Sequence, residues 1–206
     1  MNNKIILYAT AKSRVFVSRL FGLLVIFLLL FTGHSFEQEK IVDILFETSG
    51  LILISICSFG RLWSLVYISG YKNNTLITEG PYSIVRHPLY FFSFIGALGI
   101  GLASENVLVL ALIICFYLLY YPFTILSEES KLANRFGEKY AEYKKRVPRF
   151  IPKLSLYKAP QEYTIAIDKL ARNVAEAMLL IWIFILIHFI EMLQNIGVLP
   201  VLLKFP

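Results

Sequence analysis

Five apolar runs constrain this chain more than anything else in it: Val15–Phe31, Ile41–Ile68, Pro88–Ala103, Val107–Leu126 and Val174–Val198. A helix needs about 20 mainly apolar residues to cross a hydrocarbon core. Hydrophobic residues make up 57% of the 206 and the mean hydropathy is +0.67, well beyond an ordinary soluble fold. The expectation is an all-α, multi-pass membrane helical bundle of about five transmembrane helices, forming one domain over 1–206. The second run is long enough to tilt or overhang. The third is short and carries Gly96, Gly99 and Gly101, small residues that permit close helix packing. The third and fourth runs read as a tight hairpin turning at Ser104-Glu105-Asn106.

Basic residues alternate from loop to loop. Of the 20 Lys and Arg, all but Lys40 and Lys204 fall before or within the first run, at or between the facing ends of the second and third, or in 127–173. Cytoplasmic loops retain Lys and Arg, so the N-terminus and the two long polar segments are expected on the cytoplasmic side, in a bacterium the inside of the inner membrane. The +6 net charge is then a feature of the inner leaflet. With the charge in membrane loops and no recognised binding motif, a nucleic-acid partner is not expected. Cys57 and Cys115 both lie inside apolar runs, which implies neither a disulfide framework nor a metal site of ordinary spacing. The first run is longer than a signal peptide's apolar region, and no small-residue cleavage site follows it in "FTGHSFEQEK".

The larger polar segment opens with "SEESKLANRFGEKYAEYKKRVPRFIP". Leu132, Phe136, Tyr140 and Tyr143 recur at i, i+4, i+8 and i+11, one face of an amphipathic helix. Pro148 and Pro152 end that helix in an extended exit. Its apolar face could rest on the membrane or fold back over a site between the spans.

The smaller segment leads into "ITEGPYSIVRHPLY". Each residue has a plain structural reading. Gly80-Pro81 turns the chain, Pro88 starts a helix, Arg86 snorkels to head groups, and Tyr82 and Tyr90 are interfacial aromatics. In the other runs, Asp43 and Glu47 read as solvated, and Arg61 as snorkelling. His188 and Glu191, one helical turn apart, read as partner-paired or interfacial rather than catalytic. "GIG" at 99–101 reads as helix packing and not as a nucleotide loop.

The combination says more than the parts. "NTLITEGPYSIVRHPLY", an apolar hairpin, then "EESKLANRFGEKYAEYKKRVPRFIP" resembles the signature of integral membrane methyltransferases related to isoprenylcysteine carboxyl methyltransferase and, more distantly, to phospholipid methyltransferases. The resemblance implies S-adenosylmethionine as cofactor and a lipophilic small-molecule or lipid acceptor drawn from the membrane, with a cofactor-binding core over about 70–152 and an extra C-terminal span at about 174–198. Carried over by position, the residues expected at the cofactor are Asn74, Thr75, Leu76, Ile77, Tyr82, His87, Pro88, Leu89, Tyr90 and Glu128, with Glu129 orienting or adding negative field. The resemblance assigns no residue to the chemical step.

One departure bears on the acceptor. In enzymes acting on prenylcysteine, an arginine four residues before the glutamate equivalent to Glu128 meets the substrate carboxylate; here that position is Thr124. Thr124, Tyr121 and Arg86 are therefore the residues expected at the acceptor, with Tyr117, Tyr120 and Phe123 lining its pocket. Prenylcysteine is not expected to be the main substrate. The competing readings are an isoprenylcysteine carboxyl O-methyltransferase after all, a membrane reductase using NADPH, and a non-catalytic membrane protein that keeps the fold.

Overall fold

The computed structural model describes residues 2–34, 40–69, 71, 75–165, 167–200 and 203–205. Five long helices follow the apolar runs: α1 (Asn2–Phe31), α2 (Lys40–Ile68), α4 (Pro88–Ala103), α5 (Val107–Phe136) and α7 (Ile167–Asn195). Two short ones sit between them, α3 (Pro81–Ile84) and α6 (Glu138–Arg146). Among the described residues three stretches are long and apolar enough to cross a membrane, Ile41–Ile68, Val107–Phe136 and Ala177–Gln194, beside the shorter apolar helices Phe16–Phe31 and Pro88–Ala103. This is an integral membrane helical bundle. Among the described residues, the one addition to the all-α expectation is a parallel pairing of two three-residue strands, β1 (Thr32–His34) with β2 (Leu203–Phe205).

Helix α4 is the centre of the bundle, touching α2, α5 and α7, while α1 packs along α5. Val25, Leu29, Ile54, Ile100, Val109, Ile113 and Ile187, drawn from all five long helices, form the buried core. Phe21 stacks on Phe116 with ring centroids 4.0 Å apart.

The α2–α4 seam is the closest contact, and glycine makes it possible. A Cβ on Gly99 would sit 2.8 Å from the carbonyl oxygen of Gly50, and one on Gly50 would meet Ala103 at the same distance. The two backbones touch, as small residues at a membrane helix interface allow. The predicted hairpin is present too. Ser104 caps α4, and the Asn106 side chain accepts from the Val109 N–H at 3.2 Å to open α5.

The amphipathic helix expected from Leu132 to Tyr143 is broken in two. Gly137 takes φ +53°, ending α5 and starting α6, a backbone conformation that glycine adopts without penalty. The apolar face survives the break. Tyr140, Tyr143 and Val147 are buried against Leu76, Leu132 and Phe136, so α6 folds back onto the protein and does not spend that face on the membrane. The chain then leaves through an extended Val147, as the two prolines lead one to expect.

Candidate active site

Two segments meet at the end of the bundle where α2 and α5 finish. The first runs through Gly80 and α3 to the start of α4. Gly80 takes φ +58°, and a Cβ there would lie 2.4 Å from the Tyr67 ring, so only glycine allows this turn beneath α2. Pro81 and Pro88 each occupy a first helical turn, where a missing N–H costs nothing. The second segment is the strap after α6. It runs antiparallel to the first, held by Arg86 N–H to Pro148 O at 2.9 Å, Lys153 N–H to Ile84 O at 2.9 Å and Gly80 N–H to Lys158 O at 2.7 Å. The Ser83 hydroxyl accepts from the Lys158 N–H at 2.9 Å.

Between them stand two adjacent glutamates on α5 with opposite surroundings. Residues one apart on a helix point about 100° apart, and here that separates a saturated carboxylate from an open one. Glu129 is buried, 4% exposed. It accepts from Arg86 Nη1 at 2.6 Å and from Arg149 through both oxygens at 3.0 Å, and lies 3.3 Å from His87 Nε2 and 3.8 Å from Lys144 Nζ. The Arg149 contact is the two-point fork that suits a guanidinium to a carboxylate. Glu129 thereby ties α5, the Arg-His-Pro block and the strap to one point.

Glu128 is half-buried and accepts from the Tyr90 hydroxyl at 2.7 Å. Among the described residues no Lys or Arg pairs with it. Tyr90 is itself set in place by aromatic neighbours. Tyr121 packs edge-on to it at 5.6 Å and stacks on Tyr117 at 3.8 Å, and the Tyr117 hydroxyl donates to the Tyr90 carbonyl. Tyr82 is buried, its carbonyl accepts from the Tyr143 hydroxyl at 2.8 Å, and its own hydroxyl has no partner among the described residues. Burial, reinforced by the nearby Glu128 carboxylate, pushes that hydroxyl well above its usual pKa, so it stays a neutral donor. Arg86 Nε and the Tyr140 hydroxyl are also buried; the two side chains lie against each other, and among the described residues neither atom makes a well-aligned hydrogen bond.

Of the residues singled out in the sequence, Tyr82, His87, Pro88, Tyr90 and Glu128 come together here. Leu76 and Ile77 lie half-buried, with Leu76 against the Tyr140–Tyr143 cluster. Leu89 is half-buried at the start of α4, Thr75 is exposed, and Asn74 lies outside the described residues. Neither tyrosine of the block is a simple interfacial aromatic, and Arg86 does not snorkel, since its side chain is 8% exposed and held on Glu129. On the acceptor side Thr124 is buried and Tyr121 borders Tyr90, but Phe123 is 63% exposed and points out of the bundle. Arg61 donates to the Ser93 hydroxyl. Glu47, read as solvated, lies 2.7 Å from His188 Nε2, so His188 is partner-paired as expected. The sequence reading missed Arg149 and Lys144. Their only signal is the position of "KKRVPR" just after the block of paired glutamates.

So far the molecule is an integral membrane protein with a charge-clamped polar site at the mouth of its spans. The sequence model of the phospholipid methyltransferase family matches residues 42–139. The chain is 38% identical over 188 residues to the cobalt-zinc-cadmium resistance protein CzcN of Cupriavidus metallidurans, covering 91% of this chain and 86% of that one. It is 33% identical over 182 residues to the nickel-cobalt-cadmium resistance protein NccN of Alcaligenes xylosoxydans xylosoxydans, with 88% and 85% covered. Over 81 residues it is 37% identical to the protein-S-isoprenylcysteine O-methyltransferase of Schizosaccharomyces pombe, covering 39% of this chain and 34% of that enzyme. No solved structure matches. The chain belongs to the family of integral membrane methyltransferases that includes the isoprenylcysteine and phospholipid enzymes.

Proposed function

We propose that this protein transfers a methyl group from S-adenosylmethionine to a lipophilic acceptor reaching the site from the bilayer. One observation carries the reading: of two adjacent glutamates, Glu129 collects the cations around the site, while Glu128 keeps its charge open beside Tyr90. S-adenosylmethionine is a zwitterion with a sulfonium, and it supplies an electrophilic methyl. A free carboxylate and aromatic rings suit its positive groups. The buried Tyr82 hydroxyl, without a partner among the described residues, is a donor of the kind its carboxylate or purine requires. Leu76, Ile77, His87, Pro88 and Leu89 complete the wall on this reading, with Thr75 at its rim. The protein's part is to hold the methyl in line with a nucleophile and to keep water out. On this reading the site faces the cytoplasm, which the distribution of basic residues supports.

The acceptor lacks a carboxylate on this reading. Thr124 stands where prenylcysteine enzymes carry an arginine, and Arg86 and Arg149 are already committed to Glu129. A carboxylate brought beside Glu128 would meet a like charge, at a cost of several kcal/mol in a poorly solvated site. A neutral or amine-bearing lipid fits, with Tyr117, Tyr121 and Thr124 along its path. The test is a competition in membranes containing this protein and methyl-labelled cofactor, offered a farnesylcysteine analogue and extracted membrane lipids together. Label is expected in the lipid fraction, and efficient esterification of the farnesylcysteine analogue would overturn the assignment.

The two relatives that match over most of the chain are named for resistance to cobalt, zinc, nickel and cadmium. We propose that methylation by this protein likewise contributes to tolerance of divalent metals. A strain lacking the gene should regain growth in cadmium or cobalt with the wild-type chain and not with Glu128→Ala at equal expression. Full rescue by that variant would separate tolerance from methyl transfer.

A further inference from the structure

The strap beyond α6 exposes side chains that water does not favour. Ile151 is 78% exposed, Leu154 74% and Tyr157 52%, and the exposed Lys153 and Lys158 alternate with them. These side chains cannot turn inward. Three backbone hydrogen bonds pin the strap to 80–86, and Phe150 is packed edge-on against Phe91 at 5.7 Å.

What covers them follows from where the strap ends. The Tyr157 ring lies 5.9 Å from Trp63, in the last turns of α2. Trp63 closes one end of an open apolar groove of about 690 Å³, lined also by Ile52, Ile56, Phe59 and Phe92. Phe59 is 71% and Ile52 54% exposed on this spanning helix, so the groove faces lipid. Through the Tyr157–Trp63 contact the exposed apolar side chains of the strap adjoin the lipid-facing surface of α2. Apolar side chains interleaved with lysines at the end of a span match the interfacial layer, where hydrocarbon begins and phosphate head groups supply negative charge.

We propose that residues 150–158 lie in the head-group layer of the bilayer, with Ile151 and Leu154 inserted and Lys153 and Lys158 on lipid phosphates. The roof of the site is then at the membrane surface, independently of which acceptor is methylated.

The test places a single fluorophore on the strap of the full chain. The two native tryptophans are replaced (Trp63→Phe, Trp182→Phe), Leu154→Trp is introduced, and the protein is reconstituted in vesicles of phosphatidylcholine and phosphatidylglycerol. Emission is expected to shift to the blue, to fall at least two-fold with lipid brominated near the head group, and to resist aqueous acrylamide. Ile151→Trp should behave alike, whereas Glu142→Trp, on the exposed side of α6, should be quenched by acrylamide. If both strap tryptophans are quenched by acrylamide as strongly as Glu142→Trp and ignore the brominated lipid, the proposal is overturned.

Discussion

Glu129→Ala is expected to destabilise the protein more than any other single side-chain truncation at the site. Arg86 would remain 8% exposed with no anion, and removing one partner of a buried ion pair costs about 3–5 kcal/mol. Arg149 and Lys144 are about half exposed and can return to solvent, so they add little to that figure. In a chain of this size the loss corresponds to a fall in melting temperature on the order of 10 °C, measurable in detergent or nanodiscs. Glu129→Gln keeps shape and hydrogen-bond acceptance and should lose less. A melting temperature unchanged in Glu129→Ala would show that the cluster does not hold the strap to α5.

The neighbouring substitution should do the reverse. Glu128 has a neutral tyrosine as partner and is half-buried, so Glu128→Ala should change stability little. On the proposed reading it should weaken binding of S-adenosylmethionine, or of its demethylated product, by about 1–3 kcal/mol, the range for losing a charge-assisted hydrogen bond. That is roughly five- to 150-fold in Kd by calorimetry. Glu128→Gln still accepts from Tyr90 but carries no charge, and most of the loss should persist in it. Unchanged affinity in both variants would take Glu128 out of the site. The pair is informative because two residues adjacent in sequence are assigned separable effects, one on folding and one on binding.

How much of this was legible in the sequence depends on the range of each interaction. Apolar runs announce helices because the bilayer demands local satisfaction of the backbone, and α2, α4, α5 and α7 lie where the runs are. The Ser104–Asn106 turn and the proline starts of α3 and α4 are equally local. Gly137 was harder: a helical period on both sides of it reads as one helix, and only the left-handed φ reveals the corner. Long-range pairings were out of reach. Nothing in "VRHPLY" says that Arg86 spends its charge on a carboxylate 43 positions later, and nothing in "VPRFIP" marks Arg149 as the second claimant. Likewise Glu47 and His188 are 141 positions apart. That Glu128 and Glu129 face different surroundings could be expected from helix geometry, but which of them is saturated could not.

Helix α5 runs unbroken from the Ser104–Asn106 turn to Phe136, and on the proposed reading it carries both halves of the reaction. Tyr121, beside the acceptor's path, and Glu128, at the cofactor, are seven residues apart, or about 10 Å along a rod with a rise of 1.5 Å per residue. Such a rod acts as a depth gauge. An acceptor anchored by its tail in the bilayer is accepted or refused by how far its nucleophile stands from its first methylene, while the length of the tail below that point goes unread.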